Sequence, residues 1–120
     1  MEENEIEILV AILTAASLLI IALAVPMIRR RVPPNTLYGL RVPATFADDS
    51  VWYDANEQSG RDLLIFGVIL LVVAVGLPIA AVSSGAYGLI WSGLAVAGAI
   101  AVAIVGWRRA NRLLRDRQIG

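Results

Sequence analysis

The sequence predicts an all-α integral membrane protein: three transmembrane helices, with an ordered cytoplasmic loop containing a short interfacial helix between the first two. Two observations carry this. The 120 residues are 58% hydrophobic, with a mean hydropathy of +0.74, which leaves too small a polar shell for a soluble domain of this size. The apolar residues also collect in three runs, 6–28, 63–82 and 88–107. A helix needs roughly 20 such residues to cross about 30 Å of hydrocarbon. Strands are not expected despite the many Val and Ile residues, because an open sheet in lipid leaves its edges unpaired and three strands close no barrel. The whole chain, 1–120, reads as a single membrane domain.

The first run follows the acidic start MEENEIE. A signal peptide needs a positive n-region, so this run reads as a retained helix. Its acidic start and its Arg29-Arg30-Arg31 end both complement the helix dipole. Pro26 removes one backbone donor from its last turns. In the second run, Gly76-Leu77-Pro78 predicts a bend. The third run leads into a basic tail, 108–120. Arg108, Arg112 and Arg115 share one helical face there, set either to extend the helix along anionic headgroups or to serve only as topogenic charge.

Orientation follows from the arginines. All ten positive charges are arginine, because the chain contains no lysine. They lie either between the first two runs (Arg29, Arg30, Arg31, Arg41, Arg61) or after the third (Arg108, Arg109, Arg112, Arg115, Arg117). Three spans put both groups on one side, and the positive-inside rule makes that side cytoplasmic. The N-terminus is therefore expected outside and the C-terminus inside, in a multi-pass protein of the cell membrane. Small residues recur at helical spacing: Ala95, Ala99 and Ala103, Gly93 with Ala97, and Ala11 with Ala15 near Ser17 and Ala22. Such stripes let helices approach closely. They fit packing within one monomer or a homo-oligomer seam.

The loop, 29–62, is too long for a mere connection, and its aromatic residues argue against disorder. Pro33-Pro34-Asn35 stops helical continuation and sets turn geometry. Gly39 permits a positive φ, and Pro43 pushes Val42 into the extended region. Asp48 or Asp49 can cap a helix over about 50–60. That helix places Trp52, Asn56, Ser59 and Leu63 on one stripe, with Trp52 at headgroup level and Gly60 as a hinge to the second span. Arg41, in the middle of the turn-rich part, can pair with a carboxylate of this helix or with a lipid phosphate.

Catalysis is not expected. The chain has no histidine and no cysteine, which removes the commonest general base, the commonest metal ligand and thiol chemistry. Ser50 and Ser59 have no activating base. Asp48, Asp49, Asp54 and Glu57 lack a recognised cation-loop spacing. No metal, cofactor or direct nucleic-acid contact is expected. No ionisable residue lies deep in a span, which disfavours ion-coupled transport.

The residues Pro34-Asn35-Thr36-Leu37-Tyr38-Gly39-Leu40-Arg41, then Pro43 and Thr45, then Trp52, Asn56, Gly60 and Arg61, resemble the signature of the SdpI family. That pattern is roughly PN-x-x-YG-[IL]-R-T-P-x-T, a short gap, then W-x-x-x-[NH]-x-x-x-G, and Val42 stands where it often has Thr. The resemblance covers 29–82 well and the remainder by hydropathy alone. It implies a bacterial or archaeal membrane protein that protects its cell from a membrane-active peptide toxin. It also implies signalling, in which the engaged protein holds a cytoplasmic repressor at the membrane. The expected working surface is the loop. Asn35, Tyr38, Gly39 and Arg41 would set its shape, and Trp52 and Asn56 would dock the following helix. The alternatives are a small oligomeric transporter of a peptide, lipid or amphiphile, and a structural subunit of a larger membrane complex.

Overall fold

The computed structural model describes residues 2–119. Met1 and Gly120, the ends of the expected domain, lie outside the described residues, as do the side chains of Glu2 and Glu3 in the acidic start. Four α-helices follow in order: α1 (Glu2–Ile28), α2 (Pro43–Ala47), α3 (Asp49–Gly76) and α4 (Ser84–Ile119), with a 3-10 turn at Leu77–Ala80 after α3. No strand occurs among the described residues. Three helical stretches, within Asn4–Ile28, Asp49–Ala80 and Ser84–Ile119, are long and apolar enough to cross a membrane. They form a rod about 60 × 22 × 20 Å.

α1 ends as its sequence asks. Arg30 takes a left-handed conformation (φ 58°). Its N–H donates to the Met27 carbonyl and that of Arg31 to the Pro26 carbonyl, the paired bonds that close a helix C-terminus. α2 starts on Pro43, a residue suited to a first turn because its missing N–H is not needed there. Asp48 caps α3, its side chain accepting from the Ser50 N–H at 2.8 Å. At the other end of α3, Pro78 cannot donate to the carbonyl four residues back, and the backbone tightens into the 3-10 turn. Ala81 (φ 59°) then reverses the chain.

α3 is the central element. α1 packs along it, α4 lies against another of its faces, and α1 and α4 touch each other little. Lipid tails are as apolar as the side chains, so close fit rather than hydrophobicity holds helices together here. Glycine supplies that fit. A Cβ at Gly60 would come within 2.9 Å of Met27, one at Gly67 within 2.8 Å of Ile21, and one at Gly98 within 2.1 Å of Phe66. Near the middle and far end of the spans, Leu13, Leu70, Ala74, Tyr87 and Trp91 form one buried cluster.

Several expectations need correction. The helix expected over about 50–60 is not a separate interfacial piece. It is the first part of α3, which runs unbroken through Gly60. Gly60 is no hinge, because close contact with α1 is what requires glycine there. Trp52 is fully buried inside the protein rather than set at headgroup level. Beyond these corrections, the helices outrun the apolar runs: α1 begins before residue 6, and α4 begins at Ser84 and continues through the basic tail to Ile119, the helical extension that was one of the two readings of that tail. The small-residue stripes make few of the close helix contacts: Ala11, Ala15, Ala22, Gly93, Ala97, Ala99 and Ala103 are exposed, Ala99 and Ala103 along a cleft, while Ala95 packs against the core.

Candidate functional site

The loop and the helix ends beneath it form a cap, built around side chains that serve backbone groups. Asn35 acts as the pin of the first turn. Its Oδ1 accepts from the N–H groups of Leu37 (2.8 Å) and Tyr38 (2.7 Å), and its Nδ2 donates to the carbonyls of Pro33 (2.7 Å) and Tyr38 (3.0 Å). Asparagine suits this place because its amide offers both donors and an acceptor. Pro34 precedes it, exposed. The Tyr38 hydroxyl donates to the Leu23 carbonyl of α1, one turn before Pro26. Burial pushes the Tyr38 phenol up from its ordinary value.

Gly39 has φ +106°, a region that side chains rarely enter. A Cβ there would also lie 2.7 Å from Asn56 Oδ1. The missing side chain lets Asn56 reach the loop backbone. Asn56 Oδ1 accepts from the Leu40 N–H at 2.6 Å, and its Nδ2 donates to the carbonyls of Trp52 (2.9 Å) and Leu40 (3.4 Å). Buried Thr45 continues the pattern: its Oγ1 accepts from the Val42 N–H at 3.1 Å and reaches the Val42 and Leu40 carbonyls at 2.8 and 3.0 Å. Trp52 Nε1 donates to the Val32 carbonyl at 2.7 Å, and its ring meets Phe46 at 5.4 Å between centroids. An irregular segment at the edge of a membrane must satisfy its backbone internally. These residues serve the backbone of Val32, Pro33, Leu37, Tyr38, Leu40 and Val42.

Ion pairs rim the cap. Arg30 of the α1 terminus donates to Asp54 at 2.7 Å, lies 3.5 Å from Glu57, and sits over the Tyr53 ring. Arg117, near the end of α4, pairs with the same Asp54. Arg109 pairs with Asp62 at 3.0 Å. Arg61 is exposed, 3.8 Å from Glu57. The ends of α1, α3 and α4 are thus tied by charge. Of the two partners offered for Arg41, a carboxylate of the helix or a lipid phosphate, the carboxylate is not taken. The Arg41 guanidinium donates to the Thr36 carbonyl across the turn, and Arg30 occupies the acidic face instead.

Beneath the cap, between α1 and α4, lies a cleft of about 480 Å³. Its walls are apolar side chains from α1, α3 and α4, and loop residues Leu37–Leu40 close its top. Ser59 is its one hydroxyl-bearing aliphatic residue.

Most residues named from the sequence therefore come together. Asn35, Gly39, Thr45, Trp52 and Asn56 interlock, Tyr38 and Gly60 fasten the cap to α1, and Pro43 opens α2. Pro34, Arg41 and Arg61 stand at the surface. Sequence reading did not anticipate the Arg30–Asp54–Arg117 junction, the packing of Ser59 against Gly106, where a Cβ would lie 2.7 Å from the Ser59 oxygen, or the cleft, because each depends on segments far apart in the chain. A model of the SdpI/YfhL protein family matches residues 31–107, from the loop through the apolar part of α4. No curated protein and no solved structure gives a match.

Proposed function

The chain belongs to the SdpI/YfhL protein family, and from that premise we propose a non-catalytic role in immunity to a membrane-active peptide toxin, with signalling through the loop. One observation carries this reading. The signature residues spend their hydrogen bonds on the loop's own backbone, so the loop has a fixed shape. It presents Leu37, which is 87% exposed, Phe46, which is 50% exposed, and the exposed Arg41. A stiff loop offering apolar groups beside a cation suits recognition, because little ordering entropy is lost on binding. The partners proposed are the toxin peptide and a cytoplasmic repressor, with anionic headgroups contacting the arginines.

The same reading places the loop and both arginine groups in the cytoplasm, with the N-terminus outside. A reporter fused after the C-terminal residue is expected to be active only inside; activity only outside overturns the orientation. The functional test is survival of a toxin-sensitive strain expressing the protein. Wild type is expected to protect, and Arg41→Ala to protect less at equal membrane abundance. Equal survival with and without the wild-type protein rejects immunity to that toxin.

A further inference from the structure

The five arginines of the α4 tail divide by face. Arg109 and Arg117 turn inward and pair with Asp62 and Asp54. Arg108, Arg112 and Arg115 are exposed, and none of the three has an ion pair among the described residues. They line one open groove of about 570 Å³ together with Trp107, Asn111 and Leu114. Asp116 is exposed, next in sequence to Arg115, but lies outside the lining, and no carboxylate lines the groove. Three cations thus share one groove with no anion in it.

The direction of the groove selects its ligand. α4 has 36 residues, about 54 Å at 1.5 Å per residue, in a molecule 60 Å long. It therefore runs along the axis of the rod, and its tail stands off the bilayer instead of lying on it. Trp107 ends the apolar run, and its half-exposed ring stands at the level where tryptophan anchors among headgroups. From there the arginines climb, Arg112 about 6 Å and Arg115 about 10 Å above Arg108. A phosphodiester lipid offers one negative charge at the foot of this ladder and leaves its upper arginines unmatched. A terminal diphosphate stacks two phosphates outward from the bilayer and carries more charge. The fork of arginine suits phosphate oxygens, and the Asn111 amide adds a neutral donor.

We propose that the outer face of the α4 tail binds a lipid with a terminal diphosphate head, its phosphates held by Arg108, Arg112 and Arg115 and its first chain carbons against Trp107. This narrows the headgroup contact proposed above to one head chemistry and rests on that contact. It does not rest on immunity, or on which side of the membrane the tail occupies.

The test uses the full chain in phosphatidylcholine nanodiscs, with mass spectrometry of the intact complex reading bound lipid. Geranylgeranyl diphosphate is expected to bind about tenfold more tightly than phosphatidylglycerol, the worth of one added charge-assisted hydrogen bond. Arg112→Gln with Arg115→Gln should erase that preference. Arg29→Gln with Arg31→Gln, which removes equal charge at the end of α1, should keep it. All four residues are exposed, so the substitutions leave the fold intact. Equal binding of the two lipids overturns the proposal and leaves the general headgroup contact standing. Binding of neither above the phosphatidylcholine background overturns both. An equal loss in the α1 variant overturns the proposal by making the attraction one of net charge. Equal affinity for inorganic diphosphate does so by making the ligand a free anion rather than a lipid.

Discussion

At the loop end, fourteen residues of non-helical chain between α1 and α2 are held by side chains from α3 and from the loop itself. At the opposite end, the chain reverses between α3 and α4 in a few residues, and two aromatic side chains of α4 reach back to α3. The Tyr87 hydroxyl donates to the Ala74 carbonyl at 2.7 Å, the very carbonyl that Pro78, four residues on, cannot serve. Trp91 Nε1 lies 3.2 Å from the Leu70 carbonyl and 3.3 Å from Ser17 Oγ. The far end repairs a helix already satisfied along most of its length. The loop end must shape a surface with no regular hydrogen bonding of its own. The difference explains why the signature residues crowd at one end: irregular backbone needs specified partners, whereas a reversal of short length does not.

The comparison can be broken by substitution. Trp52→Ala should cost most, about 3–5 kcal/mol, because it empties a fully buried site and releases the Val32 carbonyl; denaturation in detergent measures it. Asn56→Ala comes next. It strands the Leu40 N–H, at about 1–3 kcal/mol, and proteolysis of the loop should accelerate in step. Tyr87→Phe at the far end should cost less, about 0.5–1.5 kcal/mol. If it matches Asn56→Ala, the two ends are not different in kind.

Acid should act on the cap selectively. The Ser50 hydroxyl and the Ser50 backbone N–H hold the Asp48 carboxyl below its ordinary 3.8. A lowered value means the cap's contribution is complete above 3.8 and is lost as pH falls through the folded value. Exchange of the first α3 amides should rise in that window, and Asp48→Ala should remove the dependence. Smallest of all, Arg41→Ala should change stability by no more than about 0.5 kcal/mol, since the side chain is exposed and bonds only a carbonyl. A larger loss would make Arg41 part of the loop's frame rather than of its face.

Much of this was legible in the sequence, for identifiable reasons. Hydropathy marked the three spans because the hydrocarbon thickness sets their length. The pair Asp48-Asp49 announced the start of α3, of which Asp48 is the cap; spacing put Trp52, Asn56 and Ser59 on one stripe, but only the structure shows that stripe buried within the protein rather than set in the interface. Gly60 misled, since glycine disfavours helix by about 1 kcal/mol and only the approach of Met27 and Ile28 explains its place. Which arginine meets the acidic face was equally hidden. Arg30 and Arg41 are alike in charge, and the choice is made by the left-handed turn that aims Arg30 back at Asp54. The alanine stripes promised contacts that glycines elsewhere supply, because spacing marks a smooth helix face without saying what lies against it.

The continuity of α3 has a consequence for how a signal can travel. Its 28 residues make a rod of about 42 Å with no joint. Tyr87 and Trp91 grip its C-terminal half, at Ala74 and Leu70, and Trp52 and Asn56 project from its N-terminal turns. Torque applied at the far end has no flexible segment in which to dissipate. A molecule that wedges against α3 within the bilayer need never touch the loop in order to turn it.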